Sequence, residues 1–190
     1  MSVQMPSAEL VAEGAVQILA LVQADPEFDA FRAASLAYSD DWQCFTGFPV
    51  IAEWQLKIDA TPLFEEGLRA LALKAAVHAL TGDDQAAEIP IAVPVDEMTH
   101  AMLAQAQLLQ RITARHGVQI IHQTDQEHTD YTADSYTARC YRAAWGEPPA
   151  RYWLDHDEVT RRRRHLASLY ESIGMGRSGR EHSIQFEAVA

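Results

Sequence analysis

Residues 61–82 read TPLFEEGLRALALKAAVHALTG, and this stretch decides the fold class. Leu68, Leu71, Ala72, Ala75, Ala76 and Leu80 recur at three- and four-residue intervals, the period of one helix face. Thr61-Pro62 has the form of a helix start, Glu65 and Glu66 suit the positive end of the helix dipole, and Gly82 suits a left-handed stop. The spacing predicts one long helix.

Toward the N-terminus the same period returns. Pro6-Ser7 opens a segment to about Ala24 carrying Leu10, Val11, Ile18, Leu21 and Val22 at helical spacing. Asp25-Pro26-Glu27 has the pattern of a cap, a first-turn proline and a first-turn acid, and Phe28, Phe31 and Leu36 follow it. Between Ser39 and Pro49 the pattern fails in an aromatic-rich connection.

Toward the C-terminus, residues 83–95 form an extended connector with room for one short strand around Ile89, Ile91 and Val93. Asp96-Glu97 begins a helix expected to run to His116 and stop at Gly117, with Met98, Ala101, Met102, Leu109 and Ile112 on one side. A polar stretch from His122 to Asp130 precedes a helix over about Thr132 to Trp145, which Gly146-Glu147-Pro148-Pro149 ends. A last helix is expected over Glu158 to Ile173, with Asp157 as its cap. The fold class is therefore mainly α: an orthogonal or bundle-like single domain of about six helices with long irregular connections. That domain spans residues 1–173, and residues 174–190, with three glycines, form a C-terminal tail expected to be mobile.

A chain of 190 residues is large enough to bury a core without disulfides or metal staples, and 48% hydrophobic with 22% charged residues is ordinary globular usage. The formal charge is −12, and it is unevenly placed. Residues 1–100 carry 16 acidic and 4 basic side chains (16 − 4 = 12 negative), whereas residues 101–190 carry 11 of each. Such a chain repels phosphate backbones, so nucleic acid is excluded as the default partner. Apolar stretches are broken by charge well short of the roughly 20 residues of a bilayer span, so no membrane partner is expected. Two cysteines, Cys44 and Cys140, and no signal-like N-terminus suggest reduced thiols and a cytoplasmic location. Cys140, beside Tyr136, Tyr141 and Ala144 on one helix, reads as a buried inert thiol.

Chemistry concentrates in the middle of the chain. Asp96 and His100 are four residues apart and Glu97 and His100 three apart, so both carboxylates share the histidine's helix face. That arrangement suits a metal-ligand pair or a carboxylate orienting an imidazole for base work. Downstream, His122, Asp125, Glu127, His128 and Asp130 crowd one connection, and imidazole with carboxylate favours a divalent transition metal such as zinc, iron or copper. The competing explanation is plain: first-turn acids complement a helix dipole, and polar loops collect histidines. His116 fits a helix C-terminus, and Arg161 to Arg164 spread over every face of one turn, suited to ion pairs with the acidic half. Nucleophile-elbow, phosphate-loop and dinucleotide glycine patterns are missing, which removes local support for those enzyme classes.

Residues 95–122, VDEMTHAMLAQAQLLQRITARHGVQIIH, resemble the core of the glycine-rich domain-containing protein-like family: an acidic pair, a Trp-His-x-His-x-x-Leu helix, a glycine and a further histidine. Asp96, Glu97, His100, Gly117 and His122 match in order. Residues 141–153, YRAAWGEPPARYW, are similar to the family's closing Gly-Glu-Pro-Pro and Trp motif. Thr99 replaces the usual tryptophan, Met102 the second histidine, and Thr113 lies near the expected cysteine. The resemblance implies a site position rather than an activity.

The expected site is a polar pocket in which His100, Glu97 and His122, with Asp96 and His128, bind a divalent metal. Glu97 and His100 are the expected catalytic pair for metal-assisted oxidation or hydrolysis of a small-molecule substrate. A different class of function is a non-catalytic module that meets a protein partner through Trp42, Phe45, Trp54, Trp145 or Trp153.

Overall fold

The computed structural model describes residues 3–41, 50–123 and 130–173. The described residues form eight helices and no strand: α1 (Ala8–Gln23), α2 (Phe28–Asp41), α3 (Leu56–Thr81), α4 (Asp84–Ala87), α5 (Val93–Leu103), α6 (Ala106–His116), α7 (Tyr136–Trp145) and α8 (His156–Ile173). The mainly α reading holds. The count is eight rather than about six, because α4 is a single turn and the helix expected over 96–116 is two. The aromatic connection at 42–49, the tail 174–190, and Asp125, Glu127 and His128 lie outside the described residues.

Helix α3 is the hub, packing against α1, α2, α4, α5 and α7. Its residues from Leu63 to Val77 are buried on nearly every side, as expected of a helix without a polar face. Val11, Ala15 and Val22 of α1, Phe31 of α2, Val95, Met98 and Met102 of α5 and Ala138 and Tyr141 of α7 complete the core around it. Gly67 lets α5 lie close: a Cβ there would sit 2.9 Å from Met102 Cε and 3.3 Å from Met98 Cγ. Val50, Val93, Leu154, Val159 and Leu166 form a smaller cluster that seats α8.

Helix α1 begins after Ser7 as expected, and the Ser7 hydroxyl accepts from Leu10 N. Other starts differ from expectation, that of α7 among them: it begins at Tyr136 behind a Ser135 cap rather than at about Thr132. Helix α3 begins at Leu56, so Pro62 lies inside it. There the Asp59 carboxylate reaches back to accept from Gln55 N at 2.8 Å, satisfying an N-terminal donor that the proline rule overlooked. Helix α5 begins at Val93 with Pro94 in its first turn, so Ile89 to Ala92 are irregular and form no strand. Helix α8 is led by Asp155, whose Oδ1 accepts from Asp157 N at 3.1 Å, rather than by Asp157.

Charge placement follows the sequence only in part. The C-terminus of α6 is bound to the acidic turn between α1 and α2: Arg111 and Arg115 grip Glu27, and Arg115 and His116 both reach Asp25 at 2.7 to 3.0 Å. Those hydrogen bonds hold Asp25 well below the ordinary carboxylate range and Glu27 at about 2. Arg161 and Arg162 pair with Glu158 one turn back on their own helix, and Arg162 also donates to the Val50 carbonyl. Cys140 is buried, and loss of solvent pushes its thiol up to about 11, in keeping with an inert role.

Candidate metal centre

Helix α5 carries Asp96 and His100 one turn apart on the same face. The chain leaves α5 at Ala104–Gln105, where Ala104 N still bonds His100 O but Gln105 N bonds Met102 O, a switch to a tighter turn that ends the helix. Helix α6 then stops on Gly117, whose φ of +64° is the left-handed conformation glycine adopts without steric cost. Ile121, buried in the core, brings the following segment back onto α5 and delivers His122.

One carboxylate oxygen of Asp96, one ring nitrogen of His100 and one of His122 all lie within 4.8 Å of one another. His122 Nε2 is 3.4 Å from Asp96 Oδ1, and His100 Nε2 is 3.5 Å from Asp96 Oδ2. The two imidazoles are tilted by 52° with centroids 5.1 Å apart. These oxygen–nitrogen separations exceed the roughly 2.7–3.2 Å of a good hydrogen bond. The two separations run to different oxygens of Asp96, and with one donor atom taken from each residue the three atoms span no more than 4.8 Å. The set is able to hold a metal ion. The His122 side chain is 2% exposed and that of His100 23%, so the cluster has a buried side and an open side.

A second ring of polar groups surrounds His122. Lys74 of α3, only 1% exposed, places Nζ 3.0 Å from His122 Nδ1 and 2.5 Å from Glu88 Oε2. The other Glu88 oxygen accepts from Gln123 N at 2.7 Å. The Thr99 hydroxyl lies 3.2 Å from His122 Nε2 and donates to the Asp96 carbonyl at 2.7 Å.

Of the residues singled out in the sequence, Asp96, His100 and His122 are therefore brought together. Glu97 is buried on the same helix at 8% exposure and is not one of the three whose donor atoms converge. Met102 is fully buried and packs at Gly67 as core. Trp54 and Trp153, considered as partner anchors, are 1% and 5% exposed, and Trp145 is partly buried against the core. Lys74, Glu88 and Thr99 were not anticipated. Lys74 carried the clearest available signal, as a lone charge inside the apolar run Leu71–Val77. Compared with protein-family models, curated proteins and solved structures, the chain matches none.

Proposed function

We propose that Asp96, His100 and His122 bind a divalent transition-metal ion. The convergence of one carboxylate oxygen and two imidazole nitrogens within 4.8 Å of one another carries this reading. Two imidazoles and one carboxylate suit zinc or iron, and leave coordination positions for water or substrate on the side of His100. A bound ion would supply Lewis acidity or redox capacity for oxidation or hydrolysis of a small molecule. Glu97, three residues before His100 on α5, would be the carboxylate that serves as base in such a reaction. The matching order of Asp96, Glu97, His100, Gly117 and His122 with the glycine-rich domain-containing protein-like family supports the same position for the site.

The test is metal titration of chelator-treated protein with Zn2+, Fe2+ and Cu2+, followed by calorimetry and elemental analysis after desalting. One ion per chain is expected, lost in His100→Ala and in Asp96→Asn while the helical circular-dichroism signal persists. Folded wild-type protein that retains no ion from any of the three overturns the reading.

A further inference from the structure

We infer that the buried Lys74–Glu88 pair fixes the imidazole of His122 with its hydrogen on Nε2, so that an ion binding at Nε2 requires that hydrogen to leave as a proton to solvent while Lys74 passes one of its own to Nδ1, which keeps the ring neutral. Two independent hydrogen-bond arguments agree on the position of that hydrogen.

The first comes from α3. A lysine ammonium has three donors and no acceptor. Paired with the Glu88 carboxylate at 2.5 Å, Lys74 can meet His122 Nδ1 at 3.0 Å only as donor, so Nδ1 accepts and carries no hydrogen. The ring hydrogen is then on Nε2. The second comes from α5. A threonine hydroxyl has a single hydrogen, and that of Thr99 is committed to the Asp96 carbonyl at 2.7 Å. At the 3.2 Å contact with His122 the Thr99 oxygen therefore accepts, and Nε2 donates. Opposite edges of the ring thus give the same tautomer.

The pair also sets where the ring stands. Lys74 holds the side chain of His122 and Glu88 holds the backbone N–H of the next residue, Gln123, so the segment is gripped at two points from inside the core. In most histidine metal sites the outer nitrogen donates to a carbonyl or carboxylate, which leaves a lone pair directed at the ion. Here a cation occupies the outer position and reverses that polarity. Lys74 is accordingly a positioning residue that keeps the ligand nitrogen masked, and its removal opens the nitrogen to the ion. The masking rests on the ion-binding reading; the hydrogen position does not.

The test has two arms on the full chain. In chelator-treated 15N-labelled protein, with His122→Gln to assign the resonance, His122 is expected as the Nε2–H form with Nδ1 as a hydrogen-bonded acceptor. A hydrogen on Nδ1 overturns the inference whether or not any ion binds. In the second arm Zn2+ is titrated into wild type and Lys74→Met/Glu88→Gln, a pair chosen so that neither charge is left buried alone. The double variant is expected to bind Zn2+ at least ten-fold more tightly, and equal or weaker binding overturns the masking role. Should neither protein bind Zn2+, the masking falls, while the hydrogen position stands on the first arm and the ion-binding reading is decided by the titration with all three ions. Should the double variant fail to fold, the wild-type spectrum still decides the hydrogen position, and Lys74→Gln/Glu88→Gln repeats the Zn2+ comparison with the same two outcomes.

Discussion

Two kinds of buried carboxylate stand on neighbouring helices of this protein. On α3, Glu66 accepts from Arg69 at 2.6 Å and from the Tyr141 hydroxyl and the Trp153 indole at 2.7 Å each. Asp59 accepts from Arg151, Tyr152 and Gln55 N at 2.7 to 3.0 Å. On α5, Asp96 is buried nearly as deeply, yet two imidazoles stand 3.4 and 3.5 Å away from it. Burial alone therefore does not separate an acid that ties the framework from one that gathers a ligand set. Distance and partner type differ: α3 offers short bonds from cations and neutral donors, and α5 brings two imidazoles to 3.4 and 3.5 Å from its carboxylate.

The contrast can be broken first on its framework side. Glu66→Ala strands an arginine, a phenol and an indole around one buried point, and should lower stability by about 3–5 kcal/mol in urea unfolding. The folded fraction should keep its ion stoichiometry; a variant as stable as wild type would mean that these short bonds do not hold the fold. Next comes the ligand side. His100→Ala should weaken ion binding by more than the 10- to 100-fold typical of losing an outer partner, and shift unfolding by no more than about 1 kcal/mol. Large destabilisation with unchanged ion affinity would place His100 among the framework residues instead.

A smaller effect links the two helices. Gly67→Ala brings a methyl group against Met102 Cε, the flexible end of its side chain, and should cost about 1–3 kcal/mol while moving α5 outward. Weaker ion binding in a still-folded Gly67→Ala would show that the α3–α5 spacing sets the cage. The smallest expected effect is at the acidic turn. Glu27 is held at about 2 in the folded chain by Arg111 and Arg115. Because that value lies below the usual carboxylate range, its stabilising contribution is complete at neutral pH and is lost as pH falls from about 4.5 toward 2. Glu27→Gln should flatten that part of the urea-midpoint profile without altering ion binding at pH 7.

The sequence made the helices visible and left their junctions obscure. Leu68 to Leu80 announce α3 because a core helix repeats its apolar residues at a period that needs no tertiary information. Its start was misplaced because Pro62 is a strong local signal, whereas the arginine and tyrosine around Asp59 come from about 90 residues away. The break at Ala104–Gln105 has no glycine or proline to mark it, and the apolar period runs on across it. For the site, the shared helix face of Asp96 and His100 was legible from spacing alone. That His122 would join them depends on Gly117 turning the chain and Ile121 entering the core, which spacing does not encode. Lys74 was hidden by habit: a single charge in an apolar helix is easily taken for a solvent-facing exception, and only packing shows that it points inward.

Helix α6 has one more consequence. Its eleven residues lie within the 21-residue stretch of chain that separates His100 from His122. A cation shared by those two side chains would fasten both ends of that excursion, a removable staple in a chain whose described cysteine stands alone. Ligation available only to the folded form raises stability with concentration, by about 2.7 kcal/mol at a hundred times the dissociation constant. The melting temperature of this protein would then belong partly to its buffer: dialysis against chelator should lower it, and trace metal should restore it.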